Sequence, residues 1–160
     1  MQQLIKYSIN ESKSSDIENH LIKCSTDFMP PLETYIDIAS YAIKLEKLAY
    51  RLEAWVGEEL ISLVACYLNN DETKEGFISN VSTLNSYQGK GIAKSMLDCL
   101  FKYATQKKIK TLSLEVYKYN NKAIDFYTSI GFHEISSSNN GKYLLMTKEL
   151  NNKNNGATYS

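Results

Sequence analysis

Gln88-Gly89-Lys90-Gly91-Ile92-Ala93 is the stretch on which the reading of this chain turns. Just upstream, residues 76–84 (GFISNVSTL) carry the alternation and β-branched content of a strand. Just downstream, Ile92, Met96, Leu97, Leu100 and Ala104 recur at helical spacing, which predicts a helix over residues 92–107. Residues 85–91 are therefore a loop from strand to helix. Two glycines let its backbone turn sharply and come close to a ligand. The start of the helix leaves N–H groups without partners, which favours an anion. Lys90 and Lys94 add positive charge. The loop has the physical form of a phosphate cradle, and a glycine-rich turn with no ligand is the competing reading. Two common phosphate loops do not fit. A Walker loop needs Lys-Ser/Thr after its last glycine, and Gly91 is followed by Ile92. A dinucleotide loop needs a third glycine, and that position is Lys94.

Working outward, residues 4–9 read as a strand. Ser14, Ser15 or Asp16 is placed to cap a helix running to about residue 28, with Ile17, Leu21 and Cys24 on one side. Pro30-Pro31 stops it. A second helix is expected over 33–48, with Tyr35, Ile38, Ala42, Leu45 and Ala49 on one face. The period then changes. Residues 50–56 and 60–68 read as strands joined at Gly57-Glu58. Residues 111–116 (TLSLEV) form a short strand, and 122–130 a short helix closed by Gly131. Residues 133–136 and 143–147 make a final hairpin. The order β-α-α-β-β-β-α-β-α-β-β implies an α/β (α+β) fold with one mixed, mostly antiparallel sheet flanked by helices. Residues 1–150 are expected to be one domain and 151–160 a polar, disordered tail.

Composition agrees with a soluble globular protein: of 160 residues, 43% are hydrophobic and 22% charged. Disorder, collagen and coiled coil are excluded for the whole chain. Lys+Arg and Asp+Glu are both 18, so the formal net charge is zero, which argues against a nucleic-acid binder working through a general basic surface. Cys24, Cys66 and Cys99 are far apart and form no CxxC pair, so neither a disulfide framework nor a metal site is expected. Cys66 in an apolar run and Cys99 on an apolar helix stripe read as buried thiols. The opening MQQLIKYSIN lacks the marks of a signal peptide, and the longest apolar run falls far short of the ~20 residues that span a membrane. A cytoplasmic protein with no membrane partner is expected.

Gln88-x-x-Gly91-x-Ala93 also resembles the (Arg/Gln)-x-x-Gly-x-(Gly/Ala) signature of the GCN5-related N-acetyltransferases. A second segment strengthens the resemblance: Leu114-Glu115-Val116, then Asn120-x-x-Ala123-x-x-Phe126-Tyr127, then Gly131-Phe132. The resemblance covers residues 76–132 well. It implies an acetyl-CoA-dependent acyltransferase. The cofactor pyrophosphate would lie on the backbone of Gln88, Gly89, Lys90, Gly91, Ile92 and Ala93, beside Lys94. The pantetheine arm would pair with Val81 and Thr83 as an added strand. In the family that strand splays from the one holding Val116, and a backbone N–H near Val81 would meet the thioester oxygen.

The same resemblance implies Tyr127 as the acid that protonates the departing thiolate, since a phenol with pKa near ~10 is a reasonable donor. Ala123, Phe126, Tyr127 and Ile130 share a helical face, so packing is the alternative for Tyr127. Asn120 is read as a helix cap that, by resemblance, also touches the cofactor. The base is less direct. Many relatives use a carboxylate on the strand before the loop, where this chain has Ser79 and Asn80. Glu115, twelve residues before Tyr127, resembles the glutamate assigned as base in bacterial ribosomal-protein N-terminal acetyltransferases. A glutamate on a solvated sheet face is its alternative. His20 and His133 are the other groups titrating near neutrality.

The acceptor is expected to be a primary amine of a small molecule. Phe28-Met29-Pro30-Pro31-Leu32 resembles acetyltransferases encoded with surface-polysaccharide genes, which implies an amino sugar. Asp71, Glu72 and Glu75 would instead suit a cationic acceptor. An N-terminal or protein acetyltransferase, a silent acyl-CoA-binding sensor and an enzyme acting on charged tRNA are the other readings. Zero net charge weighs against the last. The resemblance implies a monomer or homodimer, as is common in the family.

Overall fold

The period-two segments become the seven strands of one mixed sheet, and the period-3.6 segments become helices. The computed structural model describes residues 4–138 and 140–150. The elements are β1 (Lys6–Ile9), α1 (Ser14–Cys24), α2 (Ile38–Leu48), β2 (Tyr50–Val56), β3 (Glu59–Asn70), β4 (Glu75–Thr83), α3 (Ile92–Gln106), β5 (Thr111–Tyr117), α4 (Asn121–Ser129), β6 (His133–Ser138) and β7 (Tyr143–Glu149). The strands lie in the order β1-β2-β3-β4-β5-β7-β6. β1 to β2, β2 to β3, β5 to β7 and β6 to β7 pair antiparallel. β4 and β5 are parallel, as a helical crossover requires. Their ladder joins Glu75, Gly76 and Phe77 to Thr111, Leu112 and Ser113.

The described residues cluster into two compact units, the first holding residues up to Tyr67 with Asn80–Leu100, the second Leu68–Ser79 with residues from Phe101 onward. In the first, α1 and α2 pack on strands through Ile17, Leu21, Ala42, Leu45, Leu60 and Leu63. Residues 60–66 of β3 are all buried, as expected of a strand covered on both faces. In the second unit, β5 pairs with β7 along its whole length. Leu112, Leu114 and Val116 are buried, and the intervening Ser113, Glu115 and Tyr117 belong to the opposite face. Among the described residues no helix is long and apolar enough to cross a membrane.

Four expectations change. The N-cap residue of α1 is Lys13 rather than Ser14, Ser15 or Asp16, because Lys13 N–H donates to the Asp16 carboxylate at 2.9 Å and draws the helix start one residue upstream. The first helix ends at Cys24, and Ser25–Asp27 tightens into a 3-10 turn. There the Ser25 hydroxyl accepts from Glu33 N–H at 3.2 Å, bending the chain before the prolines are reached. α2 starts at Ile38, five residues later than expected, because Asp37 is extended and serves as its N-cap residue. The Asp37 carboxylate accepts from the Ser40 hydroxyl at 2.7 Å. Cys99 is exposed; it neighbours the Met96–Leu97–Leu100 stripe in sequence but lies off it on the helix. The expected tail at 151–160 lies outside the described residues.

Candidate functional site

The first unit holds the glycine loop. Leu84 N–H donates to Ile61 O at 2.8 Å and fixes the end of β4. A 3-10 turn over Asn85–Tyr87 follows. Gly89 (φ +77°) and Gly91 (φ +79°) both lie in the left-handed region, and an added Cβ would meet no atom within 4 Å at either. Glycine is therefore required here for backbone conformation rather than for space. The carbonyl of Gly91 accepts the first α3 bond, from Ser95 N–H at 3.0 Å. Helix geometry leaves the N–H groups of Ile92, Ala93 and Lys94 ahead of that ladder. Ile92 is buried and anchors the turn, whereas Gln88, Gly89, Lys90, Gly91 and Lys94 are exposed. Lys94 pairs with Asp98 at 3.3 Å on an open helix face, which contributes little to stability. Gln88 has a role the motif does not announce: its side-chain amide donates to Thr83 O at 3.0 Å and ties the loop back to the strand.

Val81 and Thr83 are half-buried and alternate with buried Asn80 and Ser82. That buried side meets α1. His20, 2% exposed, reaches Leu60 O with Nδ1 at 2.9 Å and Ser82 Oγ with Nε2 at 2.8 Å. Burial is the main cause that lowers its pKa to about 4, so the ring is neutral near pH 7. Cys24 lies 3.7 Å from Nε2. Burial first, and then the charge of Asp27, pushes its thiol up to about 12. It is a packed, protonated thiol. The sequence marks His20 only as a group titrating near neutrality, and burial takes it out of that range. The signal for it is a histidine placed on the apolar stripe of Ile17, Leu21 and Cys24.

In the second unit, Asn120 caps α4: its side-chain oxygen accepts from Ala123 N–H at 3.2 Å. Tyr127 is half-buried and packs edge-on against Phe126 (5.3 Å) and Phe132 (5.7 Å). Burial raises its phenol above 10, so it holds its proton at neutral pH. Phe132 continues to Phe101, 6.1 Å away, and Lys148 lies over the Phe101 ring. Lys148 is the ladder partner of Leu112, so this aromatic row belongs to the Leu112 face of β5. Glu115 is exposed on the other face, one register step from the Tyr117–Tyr143 cross-strand pair. The Tyr143 phenol is raised by burial first, then by Tyr117 and the charge of Glu115. The structure thus sets Tyr127 and Glu115 on opposite faces of β5 and does not bring them together. His133 is exposed, 3.8 Å from the Glu149 carboxylate. Tyr35 and Met29 of the proline corner are exposed, and Phe28 packs on the first core.

The model of the acetyltransferase (GNAT) family matches residues 15–132, and the chain belongs to that family. It is an acyltransferase of the acyl-CoA N-acyltransferase fold, in a family whose acyl donor is acetyl-CoA. Solved structures agree in fold. The PH1933 protein of Pyrococcus horikoshii OT3 is 24% identical with a TM-score of 0.73, covering 91% of this chain and 98% of that one. The PaiA N-acetyltransferase of Thermoplasma acidophilum, solved with coenzyme A, is 17% identical with a TM-score of 0.70, covering 90% and 99%. The ribosomal-protein-S18-alanine N-acetyltransferase of Escherichia coli is 18% identical with a TM-score of 0.69, covering 91% and 94%. Among curated proteins none matches the chain in sequence.

Proposed function

We propose that the chain moves an acetyl group from acetyl-CoA to a primary amine of a small molecule by direct attack on the thioester. The observation that carries this reading is the loop: two left-handed glycines deliver the chain into α3 with exposed lysines at 90 and 94. The residues suit a pyrophosphate, because anions are held by helix N-terminal N–H groups and nearby cations. Gln88, Gly89, Lys90, Gly91, Ile92, Ala93 and Lys94 would hold it, Val81 and Thr83 would pair with the pantetheine arm, and Asn120 would flank the cofactor.

Bound acetyl-CoA supplies an activated acyl group. The chain supplies the rest. Glu115, on the exposed face of β5, takes the proton that the acceptor ammonium must lose. Val81 N–H donates to the oxygen on which negative charge develops. Tyr127, on the other face, gives its hydroxyl proton to the departing sulfur. A peptide N-terminus as acceptor is the second reading, favoured by the exposure of Glu115.

The test is Tyr127→Phe, assayed by free-thiol release from acetyl-CoA with a panel of amino sugars, diamines and N-terminal peptides. The wild type should release thiol with one acceptor class. The variant should keep acetyl-CoA affinity and lose turnover by roughly a hundredfold. Unchanged turnover removes Tyr127 from the mechanism. Tight acetyl-CoA binding with no acceptor-dependent release in the wild type selects the sensor reading.

A further inference from the structure

The buried polar chain beneath β4 is unused by the chemistry above, and its protons can be counted. Leu60 O only accepts, so His20 Nδ1 carries the ring proton across that 2.9 Å contact. In the neutral ring Nε2 then has a lone pair, which lies 2.8 Å from the Ser82 hydroxyl. Ser82 Oγ also donates to Asn80 Oδ1 at 2.7 Å, so its one hydroxyl proton is shared between the Asn80 oxygen and the Nε2 lone pair. Ser62 completes the set: its hydroxyl donates to Ser82 O at 3.1 Å and lies 2.7 Å from Thr83 Oγ1. Asn80 and Ser82 are 4% and 9% exposed. Consecutive residues of β4 are thus held from within by side chains of α1 and β3, beyond what a strand ladder provides.

We propose that His20 is a positioning residue: acting through Ser82, it fixes the 80–83 segment of β4 so that the Val81 backbone meets acetyl-CoA. This rests on the cofactor reading above. The rationale is preorganisation. A backbone donor contributes most when its orientation is set before the ligand arrives, and a displacement near 1 Å costs on the order of a hundredfold. The imidazole does not touch the cofactor in this proposal and exchanges no proton with it.

Two substitutions divide the ring. His20→Asn retains a donor for Leu60 O and loses the bond to Ser82. His20→Gln reaches Ser82 and loses the Leu60 bond. Both leave a packing defect, so both should lower the melting temperature by similar amounts. Acetyl-CoA affinity separates them. The dissociation constant, measured by titration calorimetry, should rise roughly tenfold or more in His20→Asn and stay within about threefold of wild type in His20→Gln. Ser82→Ala makes the same cut from the strand side and serves if His20→Asn does not fold; it should match His20→Asn. Wild-type affinity in His20→Asn or Ser82→Ala overturns the inference while leaving the cofactor reading intact. Equal losses in His20→Asn and His20→Gln also overturn it, since that pattern marks packing alone. A wild-type chain that binds no acetyl-CoA removes the cofactor reading and this inference together.

Discussion

Glu53 is a buried carboxylate in the first unit. It is 0% exposed, and a buried carboxylate persists only where hydrogen bonds replace water. Four come from the β1–α1 connection and its neighbour: Ser8 Oγ at 2.7 Å, Glu11 N–H and Ser12 N–H at 2.9 Å each, and the Ser12 hydroxyl. Arg51 Nε lies 3.3 Å away, and its guanidinium also reaches the carbonyls of Leu45 and Glu46 at the end of α2. Burial pushes the Glu53 pKa up, but the bonds from Ser12, Ser8 and Glu11 outweigh it and the pKa ends lowered. The sign follows. A carboxyl whose folded pKa lies below its unfolded value of ~4.3 stabilises fully above that value, and its contribution fades as pH falls through the folded pKa. Glu53→Gln turns one acceptor into a donor facing donors. It should cost about 3 kcal/mol at pH 7 and less at pH 3, as read by urea denaturation at both pH values. A deficit independent of pH would show that shape rather than charge matters here. Alternation along YRLEAWV places Arg51 and Glu53 on one strand face, but the strand's own sequence does not say that Asn10–Ser12 will roof that face. This is why the pair was not legible beforehand.

Among the elements, the strand-loop-helix unit was legible because its signal is local. Left-handed backbone needs glycine, helix entry needs an open N-terminus, and both are written at adjacent positions. The order of all eleven elements follows from periodicity for the same reason. The end of α1 and the start of α2 depart from the apolar period because side-chain bonds outside it, Ser25 with Glu33 and Asp37 with Ser40, decide them. The loop yields its own prediction. At Gly91 an alanine faces no steric obstacle and pays only for φ +79°, about 1–2 kcal/mol. Gly57, φ +60° and equally open, is a matched control in the β2–β3 turn. Gly57→Ala and Gly91→Ala should lower stability alike. Gly91→Ala alone should weaken acetyl-CoA binding, by roughly tenfold if the distorted turn misdirects the N–H groups of 92–94. Equal affinity in both variants would mean that the loop does not hold the cofactor.

Over the whole chain, charge is balanced at 18 against 18, so no net field draws an anionic cofactor from afar. Recognition must come from short-range donors and the exposed Lys90 and Lys94. The identity of the acceptor is illegible for a related reason: it depends on exposed side chains such as Tyr35, Asp71 and Glu115, which any soluble surface would carry. The cofactor, by contrast, has a thermodynamic signature that needs no acceptor. A ligand that binds only the folded state at about 100 times its dissociation constant adds ~2.7 kcal/mol. For a domain of this size that is about 5–10 °C in melting temperature. Acetyl-CoA should produce that shift, and NAD, a dinucleotide whose loop requires the glycine that Lys94 replaces, should not. Raising salt from 50 to 500 mM should shrink the acetyl-CoA shift without abolishing it, because lysine charges are screened over about 10 Å or less whereas backbone N–H groups in contact with the ligand are not. Equal shifts with both ligands would mark the loop as a general anion site. No shift with millimolar acetyl-CoA would reduce residues 88–93 to a turn into α3.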